Sequence, residues 1–151
     1  MGDSVKIRKA QLHDVKQMAK LLGELFAIED DFSFDLECHL KALTLLFYSK
    51  EATLYVAKSK NRVVGMVSMQ PLISTVMGGY VGLIEDMIVT HDFRGKSIGK
   101  RLLTAMIEES KRLGYTRLTL GADRRNNAGL SFYKTFGFET SNMGLMYKII
   151  Q

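Results

Sequence analysis

The chain has 151 residues, of which 46% are hydrophobic and 25% charged, as is typical of one globular domain. Its formal net charge is +5, and its single cysteine, Cys38, cannot form an intramolecular disulfide. No apolar run reaches the roughly 20 residues that a membrane-spanning helix needs. We therefore expect one domain over residues 1–151, located in the cytoplasm and not in a membrane.

The charge distribution argues against nucleic acid as a partner. Basic residues cluster between Arg94 and Arg101, and acidic residues between Glu24 and Glu37. A nucleic-acid surface would need a broader basic face with aromatic side chains between the charges. We expect no nucleic-acid partner, and the local basic cluster indicates a smaller anionic ligand.

The first third of the chain predicts one strand and two helices. Residues 5–8 alternate between apolar and basic side chains, which favours a short strand. Apolar residues then recur at helical spacing from Leu12 to Leu25. Asp35 is placed to cap a second helix, which begins at Leu36.

The remaining residues predict a hairpin, a third strand, and then alternating helices and strands. The turn residues 59–61 separate two strands rich in Val, Tyr, Thr and Met. Gly114 and Gly137 are placed to end the third and fourth helices. In chain order, these elements are strands at 52–58, 62–71 and 80–90, a helix at 98–113, a strand at 115–120, a helix at 126–135 and a strand at 145–150.

This element order, β-α-α-β-β-β-α-β-α-β, predicts a mixed α/β fold. The early strands follow one another closely and favour antiparallel pairing, whereas strand-helix-strand crossovers favour parallel pairing. We therefore expect a central mixed, mostly antiparallel sheet flanked by helices.

The segment FRGKSIGKRLL, residues 93–103, ends like the ATP- and GTP-binding signature G-x-x-x-x-G-K-[ST]. The first glycine of that signature would fall at position 90, which is Thr90. The ATP- and GTP-loop interpretation therefore fails. A glycine-bearing turn at a helix start still presents backbone N–H groups to an anion, although solvated basic residues at a helix start explain the same pattern.

Two segments carry a resemblance to a known family. Residues 94–99 fit the pattern [QR]-x-x-G-x-[GA], except that Ser97 stands where the pattern has its first glycine. Residues 126–138 fit N-x-x-A-x-x-[LF]-Y-x-x-x-G-F, with Gly129 in place of the alanine. Together they resemble the GNAT superfamily of N-acetyltransferases. A left-handed Ser97 would cost about 1–2 kcal/mol, so we expect a helical or N-cap conformation there.

The resemblance implies an acetyl-CoA-dependent N-acetyltransferase. It would transfer an acetyl group to a primary amine of a small molecule or protein by direct attack in a ternary complex, with no metal. The alternative is a non-catalytic module that binds or senses acyl-CoA. The residues implied in acetyl-CoA binding are Met87, Ile88, Val89, Arg94, Gly95, Lys96, Ser97, Ile98, Gly99, Lys100, Asn126 and Tyr133. For Asn126, helix capping is an equal alternative.

The catalytic residues implied by the resemblance are a tyrosine and a carboxylate. Tyr133 would donate a proton to the departing thiolate, and Glu85 would take the proton of the amine, with Asp86 as the next candidate. Neighbours in a regular strand point to opposite faces, so we expect only one of the two carboxylates to face the substrate. His91 and Cys38 are weaker candidates.

The acceptor site is predicted from charge. Glu29, Asp30 and Asp31 lie between the first two helices, where this family shapes its acceptor pocket, and an acidic rim would attract a cationic amine. The strand residues Ile84, Glu85 and Asp86 also resemble the spermidine/spermine acetyltransferase branch. Homodimers are common in the family, and a dimer is an open expectation here.

Overall fold

The centre of the fold is a five-stranded sheet whose strands lie side by side in chain order. A computed structural model describes it, together with the rest of residues 4–29 and 33–151. The strands are β1 (Val5–Lys9), β2 (Thr53–Ser59), β3 (Arg62–Ser74), β4 (Gly79–Val89) and β5 (Leu118–Leu120).

The sheet is mixed and mostly antiparallel, which confirms the predicted fold class. β1 pairs with β2, β2 with β3, and β3 with β4, each time antiparallel. The last neighbour is parallel, because Thr116 N–H donates to Tyr80 O and Gly82 N–H donates to Arg117 O, so both segments advance in the same direction.

The described residues form four helices: α1 (Val15–Ile28), α2 (Leu36–Tyr48), α3 (Ile98–Leu113) and α4 (Asn127–Thr135). Short 3₁₀ turns, Leu12–Asp14 and His91–Phe93, precede α1 and α3. Asp35 caps α2 as predicted, since its carboxylate accepts the Cys38 N–H at 3.1 Å. Gly114 ends α3 in the left-handed region at φ 79°.

Helices cover both faces of the sheet. α1 and α2 share a buried cluster with Val56, Met66 and Ile88 of the sheet. Gly65, next to Met66, faces the opposite way, and a Cβ there would lie 3.0 Å from Leu102 of α3. The first unit is therefore layered, with α1 and α2 on one face and α3 on the other.

The chain divides into two compact units, Met1–Thr119 and Leu120–Gln151. The first holds β1 to β4 with α1 to α3, and the second holds α4 and the C-terminal residues; β5 spans the boundary. The sequence-based assignment of one domain to residues 1–151 stays a prediction. In the part of the chain that the structure describes, no helix is long and apolar enough to cross a bilayer.

One predicted element is wrong. Residues 139–151 form neither helix nor strand, so the strand expected at 145–150 is absent. Apolar composition favours a strand, but a strand also needs a neighbour for its backbone hydrogen bonds. Among the described residues, this segment has no such neighbour, and Leu145 and Met146 are exposed.

Candidate functional site

A basic loop connects the end of β4 to the start of α3. β4 ends at Val89, the 3₁₀ turn His91–Phe93 follows, and α3 begins at Ile98. The loop residues 94–97 are exposed, whereas Ile98 is only 2% exposed. Ile98 thus anchors the first turn of α3 in the core and leaves the loop open to a ligand.

The backbone of this loop is suited to an anion. No N–H group of residues 95–100 has a hydrogen-bond acceptor within the described parts of the chain; the first bond back into the loop is from Arg101 N–H to Ser97 O, at 3.1 Å. These N–H groups lie at the positive end of a 16-residue helix. Gly95 has φ 76°, and a Cβ there would meet nothing within 4 Å, so the backbone is accessible. The residues present therefore fit the pyrophosphate of coenzyme A.

Ser97 departs from the sequence-based expectation. It is the N-cap residue of α3, but it is left-handed at φ 62° and ψ 18°, and its side chain makes no capping hydrogen bond. The expectation of a helical or ordinary N-cap conformation was wrong, because the chain must turn sharply between Gly95 and Ile98. Ser97 thus keeps the backbone conformation that glycine adopts most easily.

The basic side chains of the loop differ in their contacts. Arg94 folds back, so that its Nε donates to Val89 O at 2.9 Å and its guanidinium lies 3.9 Å from a Glu24 carboxylate oxygen. Lys96 lies over the Phe93 ring, with its Nζ 4.8 Å from the ring centroid. Lys100 is exposed. Arg94 therefore stabilises the loop itself, whereas Lys96 and Lys100 remain at its surface.

Glu24 of α1 is a site residue that sequence reasoning missed. Its carboxylate accepts from the Thr90 hydroxyl at 2.6 Å and from the His91 N–H at 3.0 Å. With the Arg94 contact, it joins α1 to both the end of β4 and the loop. Glu24 appeared only as part of an acidic region, and nothing in the sequence pairs it with residues 66 positions away.

β4 contains a bulge at Glu85 and Asp86, near its C-terminal end. Val67 pairs with Met87, and Met69 pairs with Ile84, so two steps along β3 match three along β4. One residue of β3, Ser68, is therefore opposite two residues of β4. The extra residue changes which face the following side chains of β4 occupy.

The bulge places Glu85 and Asp86 on the same face of the sheet. Ile88 belongs to the buried cluster under α1 and α2, and its pairing partner on β3 is Met66. Ser68 is two residues from Met66, so the Ser68 side chain points to the same face of the sheet. The Asp86 side chain shares this face, since its Oδ2 lies 3.4 Å from Ser68 Oγ. Glu85 shares it too, because it follows Ile84, whose partner Met69 points to the opposite face. The expectation that the two side chains point to opposite faces was wrong, because strict alternation stops at a bulge; which of them faces the substrate stays a prediction.

Asp86 has an altered environment, whereas Glu85 is exposed. Burial raises the pKa of Asp86 above its usual 3.8, and the charge of Glu85 raises it further. The Ser68 hydroxyl, 3.4 Å from Asp86 Oδ2, and the nearby His39 act in the opposite direction. Asp86 therefore takes up a proton more readily than an ordinary aspartate.

His39 of α2 was also missed by the sequence analysis. Its Nε2 accepts the Asp35 N–H at 2.9 Å, and its ring centroid lies 4.8 Å from that of Phe26 and 5.5 Å from that of Phe34. His39 thus lies in an aromatic group on the α1 and α2 side, near enough to Asp86 to affect its pKa. Its signal in the sequence was only a lone histidine within a helical pattern.

The second unit carries the other predicted residues on α4. Asn126 caps this helix, with its Oδ1 accepting the Gly129 N–H at 3.0 Å. A Cβ on Gly129 would lie 2.7 Å from Asn126 Nδ2, which explains why glycine suits this cap. Tyr133 packs edge-on against Phe132 and Phe138, at centroid distances of 5.3 and 5.9 Å.

The remaining predicted residues are less informative. Glu29 follows α1, and its N–H donates to Leu25 O at 3.1 Å, while Asp30 and Asp31 lie outside the described residues. Cys38 and His91 are exposed. Within residues 4–29 and 33–151, no cluster of three metal-ligating side chains occurs.

Comparisons with known proteins agree with this geometry. The acetyltransferase (GNAT) family model matches residues 17–138. The aminoalkylphosphonate N-acetyltransferase of Salmonella typhimurium is 23% identical over 137 residues, which cover 91% of this chain and 86% of that protein. An uncharacterized N-acetyltransferase of Methanocaldococcus jannaschii is 33% identical over 86 residues, or 56% of this chain. The chain spans 38% of that relative, and 46% of the N-acetyltransferase family 8 member 2 of Rattus norvegicus.

Solved structures share the fold. A transcriptional regulator from Bacillus halodurans has a TM-score of 0.84 at 26% identity, with 97% of this chain and 100% of that one covered. An aminoglycoside N-acetyltransferase solved in complex with CoA also has a TM-score of 0.84, at 16% identity, with 99% and 97% covered. Since the family model matches most of the chain, and the loop and α4 segments lie within the match, the protein belongs to the acetyltransferase (GNAT) family.

Proposed function

We propose that the protein transfers the acetyl group of acetyl-CoA to a primary amine of a small molecule or a protein, by direct attack in a ternary complex. The observation that carries this proposal is the start of α3, where the N–H groups of residues 95–100 have no acceptor among the described residues. Acetyl-CoA supplies the activated acyl group as a thioester. The residues of this chain then bind it, orient it and move protons.

The loop and the end of β4 would hold acetyl-CoA. The N–H groups of residues 95–100 would bind the pyrophosphate, with added positive charge from Lys96 and Lys100. The backbone of Met87, Ile88 and Val89 would pair with the pantetheine arm, as in related enzymes. β5 is only three residues long and begins beside the start of β4. Its short length supports the proposal that the edge of β4 is open to the pantetheine arm near Met87 to Val89.

The carboxylates on the bulge would accept the proton of the amine. Sequence reasoning favoured Glu85, and the bulge adds Asp86 on the same face. A base is more effective when its pKa approaches the working pH, so the raised pKa of Asp86 favours Asp86 as the base. Glu85, which is exposed, would then hold the ammonium form of the acceptor close to the site.

The other half of the chemistry needs a donor for the carbonyl oxygen and a proton for the thiolate. The Met87 N–H would polarise the thioester carbonyl, which requires a backbone group and no special side chain. The Tyr133 hydroxyl would protonate the departing thiolate. The Asn126 side chain would contact the pantetheine through its amide nitrogen, since its oxygen caps α4.

The acceptor would be a cationic amine. Glu29, Asp30 and Asp31, which lie between α1 and α2 in the sequence, would form an acidic rim that attracts such an amine. Replacing all three by alanine should raise the acceptor KM and leave the acetyl-CoA KM unchanged. An unchanged acceptor KM would remove the rim from the proposal.

Thermal-shift measurements followed by a turnover assay test the function. We expect acetyl-CoA and CoA to raise the Tm and ATP to have a smaller effect, because ATP lacks the pantetheine arm. A panel of amines with thiol release as the readout should then identify turnover. Stabilisation by CoA without turnover on any amine would favour a binding module, and no stabilisation by either CoA species would contradict the proposal.

A further inference from the structure

A second basic site lies in the first unit, at the opposite edge of the sheet from β5. An open pocket of about 400 Å³ is bounded by the edge strand β1, the turn before α1 and the β2–β3 turn. The described residues that line it include Lys6, Arg8, His13, Lys58 and Lys60, and none of those described is acidic. None of these belongs to the loop or to β4, so this pocket is separate from the proposed acetyl-CoA site.

Two of the lining residues, Arg8 and Lys58, belong to a buried charge cluster centred on Asp14. Asp14 is fully buried and accepts from Arg8 Nη1 at 2.7 Å and from Lys58 Nζ at 2.9 Å. It also accepts the Gln11 N–H at 2.8 Å. The side chain of Lys58 is only 10% exposed and that of Arg8 30%. Two largely shielded cations thus share a single carboxylate.

The pocket therefore has an excess of positive charge. Lys6 is directly opposite Lys58 in the pairing of β1 with β2, and like charges at such positions are destabilising. The shielded Arg8 and Lys58 carry two positive charges against the one negative charge of Asp14, and the exposed Lys6 adds a third positive charge beside them. A partly buried excess of charge is costly unless an ion of opposite sign accompanies it. Two negative charges would balance this group.

We propose that this pocket binds a dianionic phosphate group, as carried by a phosphate monoester. Arg8 presents a planar guanidinium, and Lys6 and Lys58 present ammonium groups, which together suit the oxygens of one phosphate. The volume of the pocket lies within the range of about 300–1,000 Å³ usual for small-molecule sites. His13, whose side chain is 63% exposed, lies at the rim.

Calorimetric titration at constant ionic strength tests this proposal, with inorganic phosphate as the probe. Lys6→Gln removes an exposed charge without touching the buried cluster, and it should weaken phosphate binding about tenfold. Lys41→Gln makes the same charge change on the exposed side of α2 and should leave binding unchanged. With excess CoA present to occupy the acetyl-CoA loop, Lys96→Gln should also leave it unchanged.

Two further probes identify the kind of phosphate. Glycerol phosphate, a dianionic monoester, should bind with an affinity similar to that of inorganic phosphate. Dimethyl phosphate, a monoanionic diester, should bind at least about tenfold more weakly, because it balances only one charge. The proposal is overturned if phosphate does not bind, if Lys96→Gln rather than Lys6→Gln abolishes binding, or if the diester binds as well as the monoester.

Discussion

Ser97 shows how one residue can preserve a loop while straining it. Its left-handed conformation costs a serine about 1–2 kcal/mol, and its side chain gains no capping bond in return. Glycine at this position removes the strain but loses about 0.4–1 kcal/mol through greater freedom of the unfolded chain. We therefore expect Ser97→Gly to raise the free energy of unfolding by up to about 1 kcal/mol, measured by urea denaturation.

A matched serine gives the control for Ser97. Ser131 is exposed within α4, where glycine is a poorer helix former, so Ser131→Gly should lower stability by about 0.5 kcal/mol. The two substitutions are identical in chemistry and opposite in expected sign. If Ser97→Gly destabilises the protein as Ser131→Gly does, the left-handed conformation of Ser97 is incorrect.

Glu24 is expected to position the loop for acetyl-CoA. Glu24→Ala removes the acceptor for Thr90 and His91 and should weaken CoA binding about five- to tenfold. In Glu24→Gln the amide oxygen can still accept the His91 N–H and the amide nitrogen can donate to Thr90 Oγ1, so that mainly the charge next to Arg94 is lost and the effect should be smaller. Calorimetry with CoA measures both variants.

A substrate that lacks the pyrophosphate distinguishes a role of Glu24 in positioning the loop from a role in stabilising the fold. Acetylpantetheine does not reach the loop, so Glu24→Ala should leave kcat/KM for acetylpantetheine unchanged. Glu108→Ala, an exposed glutamate on α3, should change neither measurement. An equal loss with CoA and acetylpantetheine would mean that Glu24 only stabilises the fold.

The two carboxylates of the bulge make a prediction about pH dependence. The pKa of Asp86 is raised by burial and by Glu85, so its ionised form, the form that accepts a proton, is lost as pH falls through that raised pKa. Glu85→Gln removes the repulsion and should move the acid limb of the kcat profile to lower pH. Asp86→Asn should lower kcat about 100-fold or more. If Glu85→Gln abolishes turnover and Asp86→Asn does not, Glu85 is the base.

At the scale of elements, the approach of α3 to β3 depends on Gly65. A Cβ on Gly65 would lie 3.0 Å from Leu102 Cδ1 and 3.3 Å from Ile88 O. Gly65→Ala should therefore lower the free energy of unfolding by about 1–3 kcal/mol, measured by urea denaturation. Gly79→Ala is the control, because a Cβ there meets nothing within 4 Å. Equal stabilities of the two variants would contradict this packing.

Most elements could be predicted from the sequence because their signals are local. The cap at Asp35 and the glycine stop at Gly114 are examples, and each involves residues a few positions apart. The bulge could not be derived in the same way, because it depends on the register between β3 and β4. The adjacent carboxylates Glu85 and Asp86, between apolar neighbours, were its only trace in the sequence.

The candidate site could be predicted only in part, because only some of its signals are local in the sequence. The loop at residues 94–99 was found from its motif, since its glycines and basic residues are contiguous. Glu24 joins the site through hydrogen bonds to a distant segment, and His39 through its electrostatic effect on the pKa of Asp86. Interactions between segments so far apart in the sequence leave no local pattern. The roles of Tyr133 and Asn126 remain predictions from family resemblance.

At the scale of the whole molecule, Asp14 links acid stability to the charge cluster under β1. Burial opposes its ionisation, but hydrogen bonds from Arg8, the Gln11 N–H and Lys58 outweigh burial and lower its pKa from 3.8 to about 2. A lowered pKa contributes stability above pH 3.8 that is lost as pH falls through about 2. The contribution is about 2 kcal/mol.

The corresponding variant should behave differently at two pH values. At pH 7, Asp14→Asn leaves Arg8 and Lys58 without their carboxylate and should cost about 3–5 kcal/mol. The stability that Asp14→Asn loses relative to the unsubstituted protein should shrink by about 2 kcal/mol near pH 2, because Asp14 is itself partly protonated there. Asp92→Asn, at an exposed ion pair, should change stability by less than about 0.5 kcal/mol. A pH-independent deficit would contradict the lowered pKa.

The central claim for the molecule is that the start of α3 binds the pyrophosphate of acetyl-CoA. The amide resonances of the isotope-labelled protein, followed by NMR during titration with acetyl-CoA, test it most directly. We expect saturable binding with the largest shifts at the N–H groups of residues 95–100, followed by Met87 to Val89. Saturable binding that leaves the amides of residues 95–100 unshifted, or no binding at all, would contradict the claim.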